Sequence, residues 1–401
     1  MKNLLHFVLF ALLFSCDSDN DRDYPNSQQK AQIQQSVDKF TAALQSQMAD
    51  QPIGIGLYVL EKGEGMYFSS GFPEEYGENI NFRIASNSKT FTAASILKMH
   101  QEGLLDIDHP ITNNIPNSTK TYIPDTPEFD LPYKSEITIR QLLQHRSGVF
   151  DVTNSPIPPD ADAVYAGEYY IDYVKDQLGE DYTFTFEELI SIVATNKLSD
   201  FKPGEDFHYS NTGYNVLGYI VENISGLRLH EYLETNFFNP LQLNNTYSPH
   251  LGTDNQLPSP YTYSYVKLDG DYITIDKDNV TGNISEGQII SNPKELALWG
   301  KALYGTNDIL DENTLAMMLE ALPADESHGF YGLGVQAYPV ELGYGHDGAH
   351  LAYLSTMRYI PEKDRTFVIF TNHLNVDNFI EEATMLYDVL FESMDILDQV
   401  E

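Results

Sequence analysis

The stretch Phe82-Arg-Ile-Ala-Ser86-Asn-Ser-Lys89-Thr-Phe-Thr-Ala93 decides how the rest of the chain is read. It opens a run without breakers that stops at Gly103, the pattern of a helix from about Ser86 to Glu102. Three residues make almost one helical turn, so Lys89 falls on the face of Ser86, within reach of its hydroxyl. A serine hydroxyl is a weak nucleophile, and an adjacent amine kept neutral by desolvation can take its proton. The helix N-terminus favours negative charge developing nearby. Ser-x-x-Lys alone decides nothing, because Ser95-Ile-Leu-Lys98 and Ser291-Asn-Pro-Lys294 share the form, and Ser86 also suits an N-cap.

Two other short segments carry the same kind of ambiguity. Tyr209-Ser210-Asn211 precedes a helical pattern, where Ser210 or Asn211 suits the cap, and Tyr24-Pro-Asn26 repeats the form without chemistry. An unperturbed phenol has a pKa of about 10, so Tyr209 works as a base near neutrality only beside a cation such as Lys89. His346-Asp347-Gly348 lies in a strand-like region, where a glycine lets another backbone approach closely. His250-Leu-Gly252 has the same outline and no such setting.

Context resolves the ambiguity. These segments stand in order with Ile137-Thr-Ile-Arg-Gln-Leu-Leu-Gln-His145-Arg-Ser-Gly148, Pro203-Gly-Glu-Asp-Phe-His-Tyr209 and Ser285-Glu-Gly-Gln-Ile-Ile-Ser291. Together they resemble the serine β-lactamase and penicillin-binding-protein family, in particular its class C-like branch. Within that branch the match is closest to the serine D-alanyl-D-alanine carboxypeptidases, which have His rather than Lys in the third motif. The resemblance spans roughly residues 30 to 395. It implies Ser86 as nucleophile, Lys89 and Tyr209 as its proton partners, and Asn211 as a hydrogen-bonding group for Lys89 and for the acyl-side amide of the substrate. It implies that His346 adds positive potential and orients Tyr209, that Gly348 admits the substrate backbone, and that the N–H groups of Ser86 and Ala349 form the oxyanion hole. It implies no cofactor.

Asp347 departs from the pattern. Relatives often place a hydroxyl there to bind a substrate carboxylate. An Asp facing the cleft would repel that carboxylate, whereas strand alternation could turn it away. The expected function is a serine hydrolase acting through an acyl-enzyme on a small peptide, ester or β-lactam. A D-alanyl-D-alanine carboxypeptidase on cell-wall peptides comes first, then an esterase, amidase or D-aminopeptidase, then a class C-like β-lactamase. A non-catalytic penicillin-binding sensor is the rival from another class. Other chemistries lack support: no G-x-S-x-G occurs, and His230-Glu231 has Glu234 where a zinc motif needs His. His145 reads as a hydrogen-bonded loop histidine, and Tyr165–Tyr173 and Tyr261–Tyr265 as packing for long loops.

Working outward, Ile33, Val37, Phe40 and Leu44 recur at helical spacing within Ser27–Gln47, and Ile53–Leu60 and Met66–Ser70 read as strands. Residues 111–284 mix helical patterns (138–145, 185–196, 211–226, 228–237) with long loops. After Pro293 come a helix, strand-like runs at 331–338, 343–346, 351–360 and 366–372, and a helix at 376–396. The expected fold is α+β, an α/β sandwich: an antiparallel sheet from both termini flanked by helices, with a mainly helical inserted lobe. The divisions are 1–15, a signal peptide; 16–26, a tether; 27–110 with 285–401, the sheet domain; and 111–284, the insert. The site is expected in the cleft between lobes.

At the N-terminus, Lys2 and the apolar run Leu4–Phe14 fit a signal peptide, and Leu13-Phe14-Ser15-Cys16 resembles a bacterial lipobox. Cys16 would then be lipidated, placing the protein in the cell envelope, periplasmic or surface-exposed, with this lipid as its only membrane attachment. It is the single cysteine of the 401 residues, so no intramolecular disulfide is possible. Lys+Arg 23 against Asp+Glu 59 gives a net charge of −36, which repels nucleic acid and anionic lipid alike.

Overall fold

A computed structural model of the chain describes residues 25–46, 51–337 and 339–399. The signal segment, Cys16 and most of the tether lie outside these residues. The three central strands of the sheet are buried on both faces. Every residue of β1 (Ile55–Glu61) is buried, and a Lys62-Gly63 turn with φ of 52° and 89° leads into β2 (Glu64–Ser70). Positive φ at both turn residues matches the twist of the strands they join. Strands β3 (Tyr344–His350), β4 (Tyr353–Ile360) and β5 (Arg365–Thr371) come from the other end of the chain, and the antiparallel order is β2-β1-β5-β4-β3.

Alternation on β1 sends Ile55, Leu57 and Val59 to one face, where α1 (Ser27–Ser46) and the last helix (Phe379–Asp398) cover them with Ile33, Val37, Val389 and Leu390. Tyr58 and Leu60 face the other way, into the cluster of Phe91 and Trp299. Those rings belong to α2 (Ser88–Gln101) and to the helix Pro293–Gly305, and they stack 3.8 Å apart. Phe82, just before the Ser86 segment, stacks on Phe370 of β5 at 4.3 Å, so Ser86 is placed by the core of the sheet. This is the α+β sandwich expected from the sequence.

The insert carries helices at Ile139–Leu143, Phe186–Asn196, Asn211–Ser225 (α3) and Leu229–Leu233, close to the patterns read from sequence. We label Pro293–Gly305 α4 and Phe379–Asp398 α5. Several elements differ from expectation. Tyr170–Leu178 is a helix that begins inside the Tyr165–Tyr173 stretch read as packing for long loops and runs past its end. Ser264–Leu268 and Asp271–Ile275 form a hairpin about Asp269-Gly270, and its first strand runs parallel to His373–Asn375. The run 331–338 is not a strand beyond Tyr331, because the chain turns at Gly334 (φ 77°) to pass over α2, where a Cβ would lie 2.3 Å from the Ala93 Cβ.

Candidate active site

A two-residue ribbon positions the Ser86 segment: Phe82–Arg83 pairs antiparallel with Ile290–Ser291, and Ile84 N–H donates to Ile289 O at 3.1 Å. The chain then passes through a 3₁₀ turn, Ala85–Asn87, before α2 begins at Ser88. Ser86 therefore sits in the entry turn rather than in the helix. Ala85 has φ of 50°, an unfavourable conformation for a residue with a Cβ, held by the packing on either side. Ser86 is left partly exposed while Lys89 is fully buried.

Lys89 Nζ lies within hydrogen-bond distance of Ser86 Oγ at 3.1 Å, and it donates to Glu286 O at 3.0 Å and to Glu286 Oε2 at 3.3 Å. It also lies 4.7 Å over the Tyr209 ring and 5.5 Å over that of Tyr214. Burial pushes its pKa down, opposed by the carboxylates of Glu286 and Asp151. Burial drives Glu286 the other way, toward its protonated form. Glu286 and Asp151 are the two buried carboxyl groups beside Lys89, and the sequence reading assigned a role to neither.

Tyr209 completes the group around Ser86, lining the same cavity. Burial raises its pKa well above the ordinary phenol value, and nearby Glu286, Asp151 and Asp347 add to the rise. The expectation that Lys89 makes Tyr209 a base is thus corrected: the phenol keeps its proton. Asn211 begins α3, with Ser210 Oγ accepting from Gly213 N at 3.1 Å as the cap. Lys89 is bonded to Ser86 and Glu286, not to Asn211, which corrects the expected Lys89–Asn211 bond. Instead Asn211 Oδ1 is buried without a hydrogen-bond partner among the described residues. Leaving such an oxygen unpaired costs about 1–3 kcal/mol, a cost that a substrate N–H would remove.

His346 is neutral rather than positive. Burial, together with Lys89, pushes its pKa down to about 3. A chain of hydrogen bonds fixes the tautomers. Ser210 N–H donates to His145 Nδ1 at 3.0 Å, so His145 Nε2 carries the proton and donates to Tyr331 Oη at 3.2 Å. Tyr331 donates to His346 Nε2 at 2.8 Å, leaving His346 Nδ1–H for the carbonyl of Asp347 at 2.6 Å. This chain ties α3 to β3 and occupies both ring nitrogens of His346, so its link to Tyr209 runs through packing rather than a hydrogen bond. His145 is its other end, held neutral by burial, as a loop histidine should be. Tyr331 had no signal in the sequence.

On β3, Gly345 exchanges hydrogen bonds with Gln336 on the side away from β4, and Asp347 N–H donates to Gln336 Oε1 at 2.8 Å on that same side. Alternation therefore turns Ala349 N–H to that same edge, and Ala349 lines one cavity with Ser86. Gly348 serves packing rather than substrate alone: a Cβ there would meet Ile84 O at 2.4 Å and Ser355 Oγ at 2.7 Å. The glycine lets β3 lie directly against the turn that carries Ser86.

Asp347 points to the sheet face covered by α5. Its carboxylate accepts from Arg358 Nη2 at 3.0 Å and from Tyr387 Oη at 2.8 Å. Burial would raise its pKa, but Arg358, with hydrogen bonds from Thr356 and Tyr387, holds it below the ordinary carboxylate value. The Asp347 side chain remains 37% exposed, whereas that of Arg358 is 0% exposed. A cavity of about 490 Å³ runs from Ser86 and Tyr209 past Ala349 to Asp347, Phe379 and Tyr387. It shows a negative oxygen to a ligand and hides the matching cation behind it. Among the described residues no group of three or more His, Cys, Asp or Glu gathers as a metal site.

The model of the β-lactamase family matches residues 40–388 of the chain. The chain belongs to this β-lactamase family. It is similar to penicillin-binding protein 4* of Bacillus subtilis, 25% identical over 323 residues, 77% of this chain and 64% of that protein. It is 30% identical to protein flp of Staphylococcus aureus over 195 residues, 48% of this chain and 32% of that one. The chain thus spans less than two thirds of the length of either relative. Among solved structures, the D-amino acid amidase of Ochrobactrum anthropi superposes with a TM-score of 0.73 at 22% identity, covering 93% of this chain and 100% of that chain. An octameric penicillin-binding protein homologue from Pyrococcus abyssi gives 0.66 at 24% identity, covering 88% of this chain and 76% of that one. These likenesses establish the fold of the β-lactamase family for this chain.

Proposed function

We propose that the protein is a serine hydrolase that works through an acyl-enzyme on Ser86 and prefers amides or esters with an uncharged leaving group. The observation that carries the reading is a buried Lys89 amine 3.1 Å from the hydroxyl of a partly exposed serine at the head of a cavity. Ser86 passes its proton to Lys89 as Oγ bonds the carbonyl carbon. The N–H groups of Ser86 and Ala349 receive the oxyanion, a contribution typically worth about 3 kcal/mol per donor. Tyr209, still protonated, gives its proton to the leaving atom and takes one from Lys89. Water then releases the acyl group by the reverse path.

The leaving-group preference rests on Asp347. A terminal carboxylate entering that end of the cavity would meet an exposed carboxylate, with Arg358 already paired and buried behind it. This supports an amidase, esterase or D-aminopeptidase over a D-alanyl-D-alanine carboxypeptidase. The carboxypeptidase is the second reading, supported by the likeness to penicillin-binding protein 4*. Purified protein is offered a D-amino acid amide, a reporter ester and a D-alanyl-D-alanine peptide, with Ser86→Ala alongside. Amide or ester turnover that disappears in Ser86→Ala is the expected result. Turnover surviving that change sinks the serine mechanism, and faster release of D-alanine than of amide sinks the leaving-group preference.

We also propose export as a lipoprotein on Cys16, supported by the apolar run and lipobox-like residues before it. Radiolabelled palmitate incorporated by the wild type and lost in Cys16→Ala is the expected outcome.

A further inference from the structure

Residue 286 contributes two groups to Lys89. Its main-chain carbonyl, 3.0 Å from Nζ, would be there with any side chain, whereas the carboxyl at 3.3 Å is particular to glutamate. Both side chains are sealed from water, Lys89 at 0% and Glu286 at 2% exposed. Glu286 Oε1 is fixed by Asn283 Nδ2 at 2.7 Å, and the Ile290–Ser291 ribbon anchors the segment against the strand that leads to Ser86.

We propose that Glu286 is a positioning residue for Lys89, its carboxyl group holding the proton that Lys89 gives up so that the resting site contains a neutral amine beside a neutral acid. The inference rests on the reading of Ser86 and Lys89 given above. Proton count is conserved: Lys89-NH₃⁺ with Glu286-COO⁻ becomes Lys89-NH₂ with Glu286-COOH, and nothing is exchanged with solvent. Nζ then has one lone pair and two N–H groups for its three neighbours. Turning the lone pair to Ser86 Oγ leaves the N–H groups for the Glu286 carbonyl and Oε2. Ser86 hands its proton to Nζ during attack, and the proton on Glu286 stays in place.

A buried ion pair pays for desolvating two charges, and transferring one proton removes both. The other groups around the pair leave this balance intact. Asp151, from the loop after His145, attracts the Lys89 proton and pushes Glu286 toward protonation. His145 and His346 are held neutral, and Tyr209, Tyr214 and Tyr331 keep their phenolic protons. His350, at the end of β3, acts on Glu286 more weakly than Lys89 does.

The test is infrared difference spectroscopy of the full chain at pH 7, paired with the pH profile of kcat/KM. The expected result is a carbonyl stretch of a protonated carboxyl group in the wild type that disappears in Glu286→Gln. Because glutamine mimics the neutral acid, the acid limb of kcat/KM should not move to lower pH in that variant. No such band, or an acid limb displaced downward by about one pH unit, overturns the proposal and makes Glu286 an ordinary counter-ion. Should Glu286→Gln not fold, Asn283→Ala removes the hydrogen bond to Oε1. The band then shifts in frequency if it belongs to Glu286, and an unmoved band overturns the assignment. Ser86→Ala keeps the two readings apart: it abolishes turnover if the hydrolase reading is right and leaves the infrared band in place whichever way turnover falls.

Discussion

Two carboxyl–cation pairs flank the same cavity and behave in opposite ways. Glu286 and Lys89 lie buried behind Ser86 at its head, and each is driven by burial toward its neutral form. Asp347 and Arg358 lie at its open end, where the carboxylate is stabilised as an anion and burial does not neutralise the guanidinium. The nitrogen–oxygen distance is almost the same, 3.3 Å against 3.0 Å. What differs is the cation. An ammonium group gives up its proton when water is removed, and a guanidinium does not. The amine pair can thus supply a base, and the guanidinium pair can only set the charge that a ligand meets.

Exchanging the two cations is the strongest way to break that comparison. Lys89→Arg puts a permanent positive charge in place of the amine and removes the base, so turnover should fall by about 10³-fold or more, read as kcat/KM on a reporter ester. Arg358→Lys should leave kcat/KM within about tenfold, because Arg358 touches neither Ser86 nor Tyr209. Its cost should appear in stability. Arg358 also donates to Thr356 Oγ1, to the Gln336 carbonyl and side chain and to Tyr387, and a lysine cannot reproduce that fork. With Asp347 open to water, the loss should be about 2 kcal/mol, measured by chemical denaturation. If Arg358→Lys abolishes turnover while Lys89→Arg is tolerated, the roles assigned to the pairs are reversed. A smaller change sharpens the open end alone. Asp347→Asn removes the exposed negative oxygen and should move the preference toward carboxylate-ended substrates by about tenfold, or ~1.4 kcal/mol. An unchanged ratio of amide to carboxylate substrates would separate Asp347 from specificity.

How far each pair was legible follows from how far apart in sequence its members lie. Ser86 and Lys89 are three residues apart, and the single turn of chain that leads into α2 brings them together. Tyr209 and His346 were found through motifs, and the sheet that unites them follows from apolar runs at both ends of the chain. Arg358 is beside Asp347 only because β4 turns back along β3 with Thr356 opposite Asp347, a register that no local pattern announces. Glu286 stood inside a quoted segment, yet its carboxyl acquires meaning only from the ribbon that lays 290–291 against 82–83. The charge states of Tyr209 and His346 were misread for a related reason. A sequence shows which groups titrate, whereas burial, which decides the direction, belongs to the assembled core. The Ser264–Ile275 hairpin is a different failure, since Asp269-Gly270 is a recognised turn signal flanked by alternating residues.

His346 lies between the two pairs, with Lys89, Asp347 and Arg358 all acting on it, and it yields the smallest effect. Its folded pKa of about 3 lies below the value of about 6.5 expected once the chain unfolds. Between those values the unfolded chain binds a proton that the folded chain refuses, so stability falls as the pH drops below about 6.5 and levels off near 3. From pH 7 to pH 6 the loss from this one residue should be about 0.7 kcal/mol. His346→Gln keeps a hydrogen-bonding side chain and removes the titration, so its melting temperature should decline less over that interval, by about 1 °C. Comparing wild type and variant cancels the many carboxylates of this acidic chain, and His145 affects both alike. A variant that tracks the wild type from pH 7 to 6 would mean that His346 protonates inside the fold. The Asp347 end of the cavity would then gain a cation, and the case against carboxylate substrates would weaken with it.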